Sequence, residues 1–178
     1  NRYLILAVER YRDRALPRVD RRTQPLLWAA TQNALGGTLM SLGRRESGTV
    51  RLEDAGTALR LALDALPREE QPRLRAATLA NLASVLMALG EREGGTGRLE
   101  EAVQTFRLAL EDLTIERSPL EWAAAQNNLG VALAAIGERQ GGVARLEEAL
   151  VAYEAALRVR TPDTFLEDWA QTQANRAS

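Results

Sequence analysis

Apolar residues recur at helical spacing along most of the chain, and residues 119–161 show this pattern most clearly. One stretch places side chains on a single helical face at Trp122, Ala125, Gln126, Leu129, Leu133 and Ile136. A second stretch does the same at Leu146, Ala149, Leu150, Tyr153 and Leu157. The spacing predicts two amphipathic helices. We expect Gly137 to end the first as a left-handed cap, and Pro162 to stop the second, which starts near Val143.

The same pattern recurs every 47 residues. Trp28-Ala29-Ala30-Thr31-Gln32-Asn33 returns 94 residues later as Trp122-Ala123-Ala124-Ala125-Gln126-Asn127, and 94 is twice 47. Arg51-Leu52-Glu53 returns as Arg98-Leu99-Glu100 and as Arg145-Leu146-Glu147. A fixed period of this length is typical of stacked helical repeats. We call the two helices of each unit A and B.

The period divides the chain into one array with partial units at both ends. The predicted units are residues 1–24 (partial), 25–71, 72–118, 119–165 and 166–178 (partial). The first partial unit is expected to be a B helix from Leu4 to Leu16, and the last an A helix from Phe165 to Ala177. Neither end has the polar character of a capping repeat, so we expect the chain to be part of a longer array.

Small and large residues within each unit resemble the tetratricopeptide repeat. In the third full unit the resemblance is carried by Leu129-Gly130, Leu133, Gly137, Ala149, Tyr153 and Ala156. The resemblance implies an all-α, right-handed superhelical solenoid of antiparallel helix pairs. The unit departs from the family pattern because 47 residues exceed the usual 34, and because helix A has Leu where an aromatic residue is usual.

Composition narrows the chemistry further. The chain has 46% hydrophobic residues, 4% aromatic residues and a formal net charge of −1. It contains no His, Cys or Lys, which removes the commonest general base, thiolate chemistry and Schiff-base chemistry. We therefore expect no enzyme activity, no cofactor and no metal. The sequence has no basic stripe and no long apolar run, so we expect that it binds neither nucleic acid nor a membrane. We expect a cytoplasmic, bacterial protein.

The A helices lack the charges that a water-facing helix normally carries. Residues 28–43, 76–90 and 122–137 contain no charged side chain, whereas the B helices are rich in Arg, Glu and Asp. We therefore expect the A helices to line a concave inner surface. An extended peptide or a partner helix could lie along this surface. Alternatively, tight curvature buries it against neighbouring A helices.

Asparagines recur on this surface. Asn81, Asn128 and Asn175 are 47 residues apart, and Asn33 lies one place earlier in its unit. By resemblance to tetratricopeptide-like families, these amides are candidates to grip a peptide backbone; alternatively, they form a ladder between neighbouring helices. The full set of candidate partner-binding residues is Asn33, Met40, Asn81, Ser84, Met87, Asn127, Asn128, Val131 and Asn175.

Other recurring polar residues are expected to be structural. Gln32, Gln126 and Gln173 are expected to hydrogen-bond between helices. The Gly-rich A–B loops are expected to be turns, with Thr49 and Thr96 as helix N-caps, rather than anion sites. Glu100 and Glu147 are expected to pair with Arg98 and Arg145 of neighbouring repeats.

The sequence thus favours a protein- or peptide-binding scaffold. Two alternatives stay open: a structural spacer that self-associates through its exposed ends, and a regulatory sensor arm of a larger multidomain protein.

Overall fold

The computed structural model describes residues 1–67 and 69–177, and this part of the chain is helical throughout, without a β-strand. The eight α-helices are α1 (Arg2–Glu9), α2 (Pro25–Gly43), α3 (Val50–Asp64), α4 (Pro72–Glu93), α5 (Gly97–Asp112), α6 (Pro119–Gln140), α7 (Val143–Leu157) and α8 (Leu166–Ala177). Helix α1 continues as a π-helical segment, Arg10–Ala15, and a short 3₁₀ turn, Leu16–Arg18. The all-α class is therefore confirmed.

Consecutive helices pack as pairs, and the pairs stack in chain order. Helices α2, α4, α6 and α8 are the A helices, and α1, α3, α5 and α7 are the B helices. The A helices α2, α4 and α6 each pack most extensively on the B helix that follows, and each B helix also contacts the next A helix. This is the packing of a tetratricopeptide-like solenoid.

The helix starts keep the 47-residue spacing. The A helices begin at Pro25, Pro72, Pro119 and Leu166, each 47 residues after the one before. Proline favours the first position of a helix because it fixes φ and has no N–H to leave unpaired. The division into repeats at these bounds stays a prediction that agrees with the spacing.

The predicted end of the A helix at Gly137 is wrong. Helix α6 runs through Gly137 to Gln140, and Gly141, with φ of 64°, provides the left-handed cap. Helix α4 likewise passes through Gly90 and is capped by Gly94, with φ of 73°. The B helix of this unit also ends at Leu157, before the predicted stop at Pro162.

Gly137 instead permits close approach of two helices. A Cβ atom there would lie 2.8 Å from Leu146 Cδ2, at the start of the B helix. The equivalent Gly90 would place a Cβ 2.9 Å from Leu99 Cδ2. Both distances are shorter than van der Waals contact, so the tight A–B junction requires the missing side chain at these positions.

A second close approach lies about two turns earlier on the same helix, at Gly130. A Cβ there would lie 2.6 Å from Cε1 of Tyr153, a residue that is 3% exposed. Burial, and to a lesser degree the nearby Glu138 carboxylate, raises the pKa of Tyr153 to about 12. The tyrosine is therefore neutral and acts as a core side chain.

Ion pairs connect successive B helices. Arg60 pairs with Glu101 at 3.0 Å, and Arg107 pairs with Glu148 at 2.5 Å. The two residues of each of these pairs are 41 positions apart in the sequence. Arg12 and Asp54 also pair, but they are 42 positions apart, and Arg12 lies in the π-helical segment, whose turns contain more residues. All these side chains are substantially exposed, so each pair contributes less than about 1 kcal/mol.

The predicted pairs of the acidic residues are partly confirmed. Glu100 pairs with Arg145 at 3.1 Å. Arg98 contacts Glu93 and Glu101 instead, and Glu147 has no ion pair within residues 1–67 and 69–177.

Two arginines connect successive A helices through backbone carbonyls. Arg92 donates to the carbonyl oxygens of Gly43 and Glu46, each at 2.7 Å, and also to that of Gly48. Arg139, 47 residues later, donates to Gly90 O at 2.9 Å and to Gly95 O at 2.6 Å. Each arginine therefore satisfies carbonyls at the end of the preceding A helix and in the loop that follows it.

Replacing Arg92 with methionine is expected to lower the free energy of unfolding by about 2 kcal/mol, because the charged donor is lost while the apolar stem is kept. Arg45 occupies the equivalent position of the first unit, and its side chain makes no hydrogen bond or ion pair with any residue described. Arg45→Met should therefore change stability by less than about 0.5 kcal/mol. Urea unfolding of both variants measures the difference, and equal losses would contradict the assigned role of Arg92.

Candidate functional site

The candidate site is the face of the A helices that lies away from the core stripe, which we call the A wall. Its residues on α2, α4 and α6 are Asn33, Met40, Asn81, Ser84, Met87, Asn127, Asn128 and Val131. No charged residue occurs in 28–43, 76–90 or 122–137, so the wall itself is neutral.

The wall is more deeply buried on α4 than on its neighbours. Ser84 is 8% exposed and Met87 is 7% exposed, and Met87 belongs to the hydrophobic core. The Ser84 hydroxyl donates to Ala80 O at 2.9 Å. Asn127, on α6, is 6% exposed. These three side chains therefore support the wall from beneath in this conformation.

The other candidates on α2, α4 and α6 keep part of their surface accessible. Asn33, Met40, Asn81, Asn128 and Val131 are all half-buried. They form the part of the wall that a partner could touch without rearrangement of the helices.

Asparagine pairs join neighbouring A helices. Asn81 Nδ2 donates to Asn33 Oδ1 at 3.1 Å, between α4 and α2. Asn175 Nδ2 donates to Asn127 Oδ1 at 3.1 Å, between α8 and α6. The two pairs are equivalent after 94 residues. This is the ladder that the sequence left open as an alternative to ligand contact.

The junction between α4 and α6 differs, because Ala80 stands where Asn33 and Asn127 stand in the other units. Asn128 therefore has no asparagine partner across the junction. Its Oδ1 accepts from Asn127 Nδ2 at 3.2 Å. Its own Nδ2 has no hydrogen-bond partner in the part of the chain that the structure describes.

Sequence reasoning found the asparagines but missed this alternation. The signal was present: Trp28 and Asn33 return after 94 residues as Trp122 and Asn127, while Arg75 and Ala80 occupy the intermediate positions. The α2–α4 and α6–α8 junctions are therefore chemically equivalent, and the α4–α6 junction between them differs from both.

Replacing Asn81 with alanine is expected to lower the free energy of unfolding by about 1 kcal/mol, because the Asn33 acceptor loses its partner. Asn128→Ala should cost less than about 0.5 kcal/mol, since Asn128 joins no second helix and Ala34 stands at its equivalent position in the first unit. Thermal and urea unfolding of the two variants give the comparison. A larger loss for Asn128→Ala would mean that its amide is the structural one.

Short turns join the A helices to the B helices that follow them. Thr49 and Thr96 occupy the N-cap positions of α3 and α5, as expected, but neither side chain makes a capping hydrogen bond. Their ψ angles of −18° and −12° are helical, and a capping hydroxyl requires a more extended backbone. The Thr96 hydroxyl instead accepts from Gln140 Nε2 at 3.3 Å.

Among the described residues, no cluster of three or more acidic side chains could hold a metal ion. Within the same residues, no helix combines the length and apolar character needed to cross a bilayer.

Comparison with known proteins identifies one repeat directly. Residues 122–163, which cover most of α6, all of α7 and the turn after it, match the family model described as Tetratricopeptide repeat. No curated protein and no solved structure shows significant similarity to the chain. The family resemblance read from Leu129-Gly130, Ala149 and Tyr153 is therefore confirmed, while the 47-residue variety of the repeat stays a prediction.

Proposed function

Because the chain carries a tetratricopeptide repeat, and such repeats generally mediate protein–protein interaction, we propose that it is a binding scaffold for an extended protein segment. The proposed site is the A wall, taken as the concave surface lined by the first helix of each repeat. The proposed compartment is the cytoplasm, where such a scaffold would meet folded or extended protein partners.

The observation that carries this proposal is the neutral A wall, in which the Asn128 amide keeps its Nδ2 donor unpaired while its Oδ1 accepts from Asn127. An extended backbone presents one N–H donor and one C=O acceptor per residue. Asn128 Nδ2 is a donor of matching chemistry that its neighbours do not use. Burying charged residues would be costly, and the wall has none.

The asparagine pairs also retain capacity for a ligand. The bond between Asn81 and Asn33 uses one donor and one acceptor. Asn33 Nδ2 and Asn81 Oδ1 have no hydrogen-bond partner among the described side chains and backbone groups. Met40 and Val131 add partly exposed apolar surface beside them. Ser84, Met87 and Asn127 then act as the supporting layer of the proposed site.

The proposal is tested with a peptide selected from a random library against the intact chain. Asn128→Ala should weaken binding of that peptide about tenfold, which corresponds to about one hydrogen bond. Gln104→Ala, an exposed amide on α5, is the matched control and should leave the affinity unchanged. Isothermal calorimetry gives both affinities. Equal affinity for Asn128→Ala and the unmodified chain would place the peptide elsewhere.

The spacer alternative predicts a different result for the same protein when its sedimentation is measured. A spacer that joins copies through its ends would sediment as larger species as its concentration rises, without any peptide. A monomeric chain that binds the selected peptide through Asn128 excludes this alternative as the main function.

A further inference from the structure

Two grooves on the other side of the A helices form a second set of sites. The first is about 220 Å³ and is lined by Gln32, Leu35 and Leu39 of α2, with Asp54 and Ala58 of α3. The second is about 270 Å³ and is lined by the residues 94 positions later: Gln126, Leu129 and Leu133 of α6, with Glu148 and Ala152 of α7. We call them the seam grooves, because each lies where two successive B helices meet.

Each seam groove has the same chemistry. Two leucines and an alanine make an apolar floor. An ion pair between B helices lies at the rim, Arg12–Asp54 in the first groove and Arg107–Glu148 in the second. The rim charges neutralise each other, so the groove does not select a charged ligand.

The glutamine in each groove is unpartnered. Gln32 is 6% exposed, yet its amide makes no hydrogen bond with any described residue. No fully buried polar side-chain atom in the described chain lacks a partner. The Gln32 amide must therefore retain access to solvent, and it does so through the groove that it lines. Gln126 is half-buried and also makes no side-chain hydrogen bond there. The prediction that these glutamines bond between helices is therefore wrong.

The middle unit shows that this amide is not required for folding. Leu79 stands at the position equivalent to Gln32 and Gln126 and is 5% exposed in the core. A leucine can therefore occupy the position of this glutamine, as Leu79 does in the middle unit, whereas the first and third units have glutamine there. A nearly buried polar side chain without a partner lowers stability relative to that leucine.

We propose that each seam groove binds one aliphatic residue of an extended protein segment. The aliphatic side chain lies on the leucine floor, and the peptide group beside it pairs with the glutamine amide, which offers two donors and one acceptor. Volumes of about 220 and 270 Å³ are smaller than the roughly 300–1,000 Å³ of small-molecule pockets and suit a single anchoring side chain. Two equivalent grooves allow one partner to bind at two points with a gain in effective concentration.

The probe for this site is leucine capped as N-acetyl-leucine methylamide, titrated into the intact chain. The side-chain amide signals of Gln32 and Gln126 in a ¹H–¹⁵N spectrum should shift with the about millimolar affinity of a ligand this small. Capped glycine, which lacks the anchor, should bind at least about tenfold more weakly, because burial of the aliphatic group drives the contact.

Variants keep this test separate from the A-wall proposal. Gln126→Leu copies Leu79, so it should fold, lose the response in the second groove and leave the Gln32 signal responding. Asn128→Ala should leave both grooves unaffected. The proposal is overturned if capped leucine shifts neither glutamine, or if capped glycine shifts them equally. It is also overturned if Gln126→Leu keeps a response around Leu129 and Leu133. Shifts that depend on protein concentration alone would assign the grooves to a second copy of the chain and likewise overturn it.

Discussion

Replacing Phe106 with alanine is expected to lower the free energy of unfolding by about 4 kcal/mol. Phe106 is fully buried on α5, within a core that runs from Val8 to Tyr153 through all the stacked pairs. Its removal leaves a cavity at the centre of the array, and the helices on both sides are held by their own ion pairs and arginine contacts. We expect little collapse around the cavity, so most of the cost is retained.

Leu108 provides the control on the same helix. It is 46% exposed, so Leu108→Ala removes an apolar side chain with little loss of burial. We expect a loss of less than about 1 kcal/mol. Urea unfolding, followed by circular dichroism, measures both values. A loss below about 2 kcal/mol for Phe106→Ala would mean that the central pair is packed less tightly than described.

Replacing Gly90 with valine is expected to lower the free energy of unfolding by about 3 kcal/mol, because it overpacks the A–B junction. Even the first added carbon would lie 2.9 Å from Leu99 Cδ2 and 3.2 Å from Arg98 Cβ. Arg98 Cβ is fixed to the backbone of α5 and cannot move without moving the helix. Leu99 is fully buried, so its side chain cannot turn into solvent without leaving the core.

Gly37 is the matched control, since it also lies inside an A helix. Nothing lies within 4 Å of a Cβ added there. Gly37→Val should therefore leave stability unchanged or raise it by a few tenths of a kcal/mol, because glycine is a poorer helix former than valine. A similar loss in both variants would show that helix propensity, and not the close approach, determines the effect at Gly90.

The sequence predicted the helices well because local periodicity determines them. Apolar spacing located every A and B helix, and the 47-residue offset predicted the stacking order. Gly137 was misassigned because a glycine near a helix end is compatible with two roles. A cap requires a positive φ, whereas a close approach requires a particular neighbour, here Leu146. Only the three-dimensional packing distinguishes these roles.

The candidate site was less predictable because its chemistry depends on pairs of helices. Asn81 and Asn128 occupy equivalent positions in the sequence, but Asn81 meets Asn33 whereas Asn128 faces a junction where Ala80 offers no amide. Likewise, Met87 is buried on α4, whereas Met40, at the equivalent position 47 residues earlier on α2, is half-buried. These differences in burial and hydrogen bonding depend on residues of the neighbouring unit, which are 47 or 48 positions away in the sequence.

The proposed use of the A wall is tested most directly by locating a bound peptide. A selected peptide carrying a nitroxide spin label would be added to the ¹⁵N-labelled chain, and paramagnetic broadening of backbone amide signals would be measured. We expect broadening at Asn81, Asn128 and Val131 of the A helices, with the amides of α3, α5 and α7 largely unaffected. Broadening confined to the B helices, with sharp signals along the A wall, would contradict the proposal.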